Sequence, residues 1–259
     1  ARARRTTYVQ IESTRANKRK NGPWAAFAQA AHDAADAAAA IFHFTEQDRF
    51  ALTRDRCGDQ ILAPLPPFLP LDDLPAASPL TGAMLSVGMM RAGDKLASYQ
   101  IIAEALAQLT GDWRLNIAGD GPARLEVEAL MAPFGARVRF LGQLSRAELT
   151  AAYGSASLFL WPGVNEAFGM VYLEAQAHGV PVVAQDRPGV RDVLPSGRAT
   201  AVDQGAAAIS TQITALLTDQ SLRHARAAEA RRFVAQHHLA PVAARRFWDT
   251  VSPLLESPT

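Results

Sequence analysis

From Met84 onward, short apolar runs alternate with longer stretches of helical spacing. The runs at 83–88, 113–118, 137–141, 157–161, 180–184 and 199–202 have the length and apolar density of buried strands. Between them, helices are predicted at about 96–110, 122–132, 145–154, 169–178 and 206–218, with closing helices at 221–236 and 239–255. Strands alternating with helices of this length imply right-handed βαβ units and a mostly parallel sheet. The fold class expected is α/β: a Rossmann-like parallel sheet with helices on both faces.

The first part of the chain follows the same grammar less completely. Residues 24–40 are Ala-rich and helix-favouring, with Trp24, Phe27 and Ala31 spaced to share one face. Ala40 to Phe44 reads as a short buried strand. Thr45 is a plausible cap for a helix beginning at Glu46, and Ile61-Leu62-Ala63 is a further short strand. Six prolines then fall between residues 64 and 79 (Pro64, Pro66, Pro67, Pro70, Pro75 and Pro79). They exclude a regular helix or central strand, so a stiff linker and a domain boundary are expected there.

Composition narrows the class. Apolar residues make up 49% and charged residues 20% of the 259 positions, as in globular proteins. No stretch approaches the roughly 18 uncharged apolar residues of a membrane span, and no secretory pattern is present. Cys57, the one cysteine, excludes an internal disulfide framework and fits a reducing compartment. A cytoplasmic location is expected, with peripheral attachment at the inner membrane face a variant of it. A net charge of +1 argues against a nucleic-acid partner. The charge is uneven, however: Arg2, Arg4, Arg5, Arg15, Lys18, Arg19 and Lys20 face only Glu12 in residues 1–24. That segment is either a solvated basic face or a surface for acidic lipid or a phosphorylated partner.

The chemistry-bearing residues cluster where strands end. Glu166 and Glu174 lie eight positions apart around Phe168-Gly169, Glu166 in the loop after a strand and Glu174 on the following helix. In open α/β sheets ligands bind at the carboxyl edge. Acidic groups there accept hydrogen bonds from sugar or ribose hydroxyls, while first-turn amides face an anion or oxygen. Val171, Leu173, Ala175 and Ala177 surround Glu174 with apolar neighbours, which points to a half-buried carboxylate needing a partner. Arg91 and Lys95 follow the first strand of the second domain, after Gly88, and two cations there suit a diphosphate. Gly119-Asp120-Gly121 opens another helix. Arg124 at the third glycine position, and Val138-Arg139-Phe140 where an acidic ribose ligand would stand, exclude the NAD fingerprint. A tight turn beside a nucleotide stays open. No metal site is expected: Glu174 and His178 share a helix face but lack a third ligand. No nucleophile motif or Walker loop is present.

In this order, Ser86-Val87-Gly88 with Arg91 and Lys95, Asn116 to Pro122, Arg139-Phe140-Leu141-Gly142, Pro162 with Glu166-x7-Glu174, and Glu174 to Val183 resemble the retaining glycosyltransferases of family 4, which have the GT-B architecture. The resemblance covers roughly residues 80 to 236. It implies a glycosyltransferase that moves a sugar from a UDP-, GDP- or ADP-linked donor to an acceptor glycan, lipid or small molecule with retained configuration. No cofactor or metal is implied. Arg91 and Lys95 would hold the diphosphate, and Glu174 the ribose. Glu166, with the backbone of Phe168, Gly169, Met170 and Val171, would grip the transferred sugar. Gly88, Gly119 and Gly121 would line the donor site, and Leu141-Gly142 would lie beside the base. Here the loop reads Gly88-Met89-Met90-Arg91, displacing the arginine by two positions, and the usual glycine-rich run after Val190 is reduced to Pro195-Ser196-Gly197-Arg198.

The resemblance also divides the chain: 1–63 as a remnant (helix-strand-helix) of an acceptor-side domain, 64–79 as linker, 80–238 as donor domain and 239–259 as a helix crossing back. It implies exposed apolar surface near the amino-terminal segment, covered by a partner or by self-association. Competing readings are a non-catalytic nucleotide-sugar module, a sugar-nucleotide epimerase of the same architecture, and a phosphorylase-like enzyme, the last needing a lysine for pyridoxal phosphate.

Overall fold

The computed structural model describes residues 9–12, 23–56 and 58–256. The basic residues singled out at positions 2–20 and Cys57 lie outside them. The chain divides into two compact units, residues 1–70 with 237–259, and residues 71–236.

The first unit carries strands β1 (Val9–Glu12), β2 (Ala40–His43) and β3 (Ile61–Pro64), with helices α1 (Ala25–Ala37) and α2 (Glu46–Arg54) between them. The strands are parallel in the order β1-β2-β3. Every residue of β2 is buried, as expected of a strand covered on both faces. Ile41 joins Ala35 and Ala38 on one side. On the other, Phe42 packs with Ala63, Leu65, Ala243 and Val251, and stacks on Phe247 at 5.0 Å. Ala243, Phe247 and Val251 belong to the last helix, α9 (Ala240–Glu256), so the chain's end completes the core of its beginning.

Thr45 caps α2 as its sequence position suggested, accepting from the Asp48 amide at 3.1 Å. Gln60 closes the end of α1 by donating to the carbonyls of Ala35 and Ala38, both at 2.7 Å. Strand β1 was not expected from the sequence. Trp24 and Phe27 do share a face, edge-to-face at 6.3 Å, but that face is exposed. Pro64 ends the edge strand β3, where its missing N–H costs no ladder bond.

The second unit contains β4 (Met84–Val87), α3 (Asp94–Leu106), β5 (Leu115–Ala118), α4 (Arg124–Met131), β6 (Val138–Gly142), α5 (Arg146–Ser155), β7 (Phe159–Leu160), α6 (Met170–Ala177), β8 (Val182–Val183), α7 (Gly205–Thr218) and α8 (Gln220–His237). Its sheet is parallel throughout, in the order β6-β5-β4-β7-β8. The order reverses at β4: β5 and β6 extend one way, β7 and β8 the other. The crevice between the ends of β4 and β7 is therefore the topological switch point, where such sheets bind ligands. Right-handed crossovers put α3 and α4 on one face and α5 and α6 on the other.

The strand expected at 199–202 reduces to an isolated bridge between Gln185 and Thr200, followed by a short turn at Val202–Gln204. One ladder contact there leaves no regular strand to extend. No helix among the described residues is long and apolar enough to cross a membrane.

Candidate functional site

Three loops meet at the carboxyl edge and are sewn together by main-chain bonds. Gly88 donates to Ala118 O at 3.1 Å, Gly119 to Gly142 O at 2.8 Å, and Met90 to Asp120 O at 2.9 Å. The glycines are placed by this contact. A Cβ on Gly119 would run into the Gly88 carbonyl, and one on Gly121 into the Met90 carbonyl. Both glycines have positive φ, so substitution there is strained twice over.

Lys95 lies in the first turn of α3 and Glu166 in the loop after β7. They meet across the switch point, Lys95 Nζ to Glu166 Oε2 at 2.7 Å, with 14% and 17% of their side chains exposed. The Trp161 indole N–H donates to the same oxygen at 3.2 Å, and the Lys95 ammonium stands 5.3 Å from the Trp161 ring. Trp161 is fully buried and packs edge-on to Tyr99 at 5.1 Å, while the Tyr99 hydroxyl donates to Gly88 O at 2.8 Å. Glu166 thus has Oε2 doubly claimed and Oε1 without a hydrogen-bond partner among the described residues.

The loop holding Glu166 is strapped to α3 at two further points. Asn165 donates to Asp94 Oδ2 at 2.6 Å, and the Val164 amide donates to Ser98 Oγ at 3.1 Å. Asn165 sits in the left-handed region at φ 50°, which asparagine tolerates better than most residues. Gly169, at φ 62°, turns the chain into α6, whose first amides belong to Met170 and Val171. Phe168, Met170 and Val171 are half-buried.

Glu174, just over one turn along α6, is half-buried and accepts from the Tyr153 hydroxyl at Oε2, 2.9 Å away. Burial raises its carboxyl above the ordinary range, and the Tyr153 bond offsets only part of that rise. Arg91 is exposed and has no ion-pair partner among the described residues. Leu141 and Gly142 are half-buried at the end of β6. The structure thus brings Lys95 and Glu166 into direct contact but gives Arg91 no contact with either. Sequence reasoning missed Tyr153, Trp161 and Tyr99. Their side chains reach partners 5 to 21 positions away, and no spacing rule announces such contacts.

Residues 87–233 match the family model described as glycosyl transferases group 1. The chain belongs to that family. Among curated relatives, it is 35% identical over 122 residues to a GDP-mannose-dependent alpha-mannosyltransferase of Mycolicibacterium smegmatis, covering 45% of this chain and 32% of that protein. It is 35% identical over 149 residues to a phosphatidyl-myo-inositol mannosyltransferase of Mycobacterium leprae, covering 54% and 39%. A D-inositol 3-phosphate glycosyltransferase of Xylanimonas cellulosilytica is 34% identical over 185 residues, covering 68% and 40%. The chain therefore spans less than half the length of these relatives. Among solved structures, Anabaena HepE in complex with UDP and glucose shares the fold with a TM-score of 0.74 at 17% identity, covering 96% of this chain and 72% of that one. Sucrose-phosphate synthase from Thermosynechococcus elongatus gives 0.74 at 19% identity, covering 98% and 69%. The fold is the GT-B parallel-sheet fold.

Proposed function

We propose that this chain supplies the donor-binding half of a retaining, family 4 glycosyltransferase that uses a nucleotide-diphosphate sugar. The observation that carries the reading is the Lys95–Glu166 contact across the switch point. It sets a cation suited to a diphosphate beside a carboxylate with one free acceptor oxygen. Lys95, with Arg91 at the mouth, takes the diphosphate and offsets the charge that grows on it as the sugar leaves. Glu166 Oε1 and the amides that open α6 take the hydroxyls of the transferred sugar. Glu174 Oε1 takes the ribose, and the base lies beside Phe140, Leu141 and Gly142.

In the reaction, the bond between the anomeric carbon and the phosphate oxygen breaks. A new bond to the acceptor oxygen forms on the same face, and the acceptor's proton passes to the departing phosphate. No step calls on a metal or cofactor. Residues 1–63 represent part of the acceptor-side domain, 64–79 the linker, 80–238 the donor domain and 239–259 the crossing helix. The single cysteine supports a cytoplasmic setting, and the exposed apolar side chains of the first unit, such as Trp24, Phe50 and Trp248, suit a partner or a second copy.

The test is calorimetry with UDP, GDP and ADP, GDP first because of the relatives named for GDP-mannose. Binding of one of them, weakened roughly tenfold or more by Lys95→Ala, supports the reading. No binding by any of the three overturns it. Transfer or hydrolysis of the matching donor sugar separates an enzyme from a binding module.

A further inference from the structure

Glu174 is not aimed by its own helix alone. Tyr153, on the last turn of α5, is buried and donates its hydroxyl proton to Glu174 Oε2 at 2.9 Å. The phenol ring has little room to leave. It packs tilted against Phe159 at 5.8 Å and lies parallel to the His178 imidazole at 5.7 Å, 22° between planes. His178 is held in turn. Its Nδ1 is 3.0 Å from the Glu174 carbonyl oxygen, which can only accept, so Nδ1 carries the proton. The two helices on this face of the sheet are thereby joined through a hydroxyl, a carboxylate and an imidazole.

The consequence lies in the second carboxylate oxygen. An ionised carboxylate has two acceptor oxygens and no donor. With Oε2 occupied by a donor that cannot turn away, rotation of the carboxylate about its terminal torsion, otherwise broad, is restrained. Oε1 then stands without a partner among the described residues, as an acceptor of fixed direction. Burial favours the protonated carboxyl. The Tyr153 hydrogen bond favours the ionised one.

We propose that Tyr153 is a positioning residue for nucleotide recognition: it holds the Glu174 carboxylate in one orientation, so that Glu174 Oε1 accepts from the ribose hydroxyls of the donor. This rests on the ribose role of Glu174 in the proposed function. The bland alternative is that Glu174 merely satisfies a buried phenol, and the two differ in what a Tyr153→Phe change does to ribose discrimination.

The test uses the 259-residue chain and calorimetry. The probes are the tightest binder of UDP, GDP and ADP and its 2′,3′-dideoxy analogue. Wild type should favour the ribonucleotide by about tenfold or more, as for a lost hydrogen bond to a charged group. Glu174→Ala should bring that ratio close to one. Tyr153→Phe should lower it several-fold while leaving the affinity for the dideoxy analogue unchanged. The ratio is insensitive to partial unfolding of the variant, because both probes report the same folded fraction. As pH falls, ribonucleotide affinity should be lost at a higher pH in Tyr153→Phe than in wild type, since the variant's carboxyl protonates earlier. If Tyr153→Phe keeps the wild-type ratio and pH midpoint while Glu174→Ala collapses the ratio, the inference is overturned and the ribose role of Glu174 stands. If wild type shows no preference, or Glu174→Ala keeps it, the ribose role fails and the inference with it.

Discussion

Gly88 and Trp161 interlock: a Cβ on Gly88 would meet the Trp161 indole at 2.6 Å. The first loop of the donor unit therefore rests directly on the ring that also donates to Glu166 and lies under Lys95. One buried side chain fixes the spacing between the two halves of the crevice. Gly88→Ala should overpack this contact at a cost of ~1–3 kcal/mol. It should lower Tm by several degrees, at about 2–4 °C per kcal/mol for a unit of this size, and nucleotide affinity should fall with it. An unchanged melting curve would show that the loop slides off the ring freely.

Lys95→Met should cost stability as well as ligand binding. It strands the Glu166 carboxylate in a site where both partners are mostly buried. Breaking a buried pair from one side costs ~3–5 kcal/mol, and the slight exposure here places the loss near ~3 kcal/mol. The double variant Lys95→Met with Glu166→Leu should recover much of that loss in chemical denaturation, yet bind no nucleotide. A double variant less stable than Lys95→Met would refute the pairing.

Glu174 should trade stability for binding. Its folded carboxyl is raised by burial, so only between the unfolded and the folded pKa does the folded state hold a proton that the unfolded state has released. Stability from this group is present below the ordinary pKa of 4.5 and is lost as pH rises through the raised value. Glu174→Gln removes that penalty. It should raise Tm at pH 7, with the gain vanishing at and below about pH 4, while ribonucleotide affinity drops roughly tenfold. A Tm gain that does not change with pH would count against burial as the cause.

His238 should set the acid limit of the first unit. Burial, the largest influence, lowers its pKa to about 4, and its Nδ1 must donate to Pro67 O at 2.6 Å. A histidine depressed in the folded state favours folding above its unfolded pKa of 6.5, and that contribution fades as pH falls through 6.5 toward 4. The full loss is ~3 kcal/mol at 1.36 kcal/mol per unit. His238→Asn, which can still donate to Pro67, should flatten the slope of stability against pH in that window. An equally steep slope in the variant would assign it to other groups.

Much of the second unit was legible because its information is local. Helices α3 to α8 and strands β4 to β8 follow from apolar periodicity, and Ser145 with Glu148, three positions on, starts α5 in a capping box. Strand β1 was not legible, since four residues in a basic segment become a strand only by pairing with β2, some thirty positions on. The segment at 199–202 failed for the opposite reason: its apolar pattern was adequate, but one bridge to Gln185 is all the sheet offers it. Gly119 and Gly121 were expected to admit a ligand. They are required at least as much by carbonyl oxygens of the neighbouring loop.

By itself, the amino-acid sequence determined the class of fold, the family and the positions of Lys95, Glu166 and Glu174 at strand ends, because periodicity and motif spacing are properties of neighbours along the chain. Only the tertiary structure decided that Lys95 and Glu166, 71 positions apart, share an oxygen with Trp161, that Arg91 stands outside that contact, and that Tyr153 reaches Glu174. Hydrogen bonds of about 3 Å depend on how strands and helices pack in three dimensions, and no pattern along a single chain encodes a distance that short between residues so far apart.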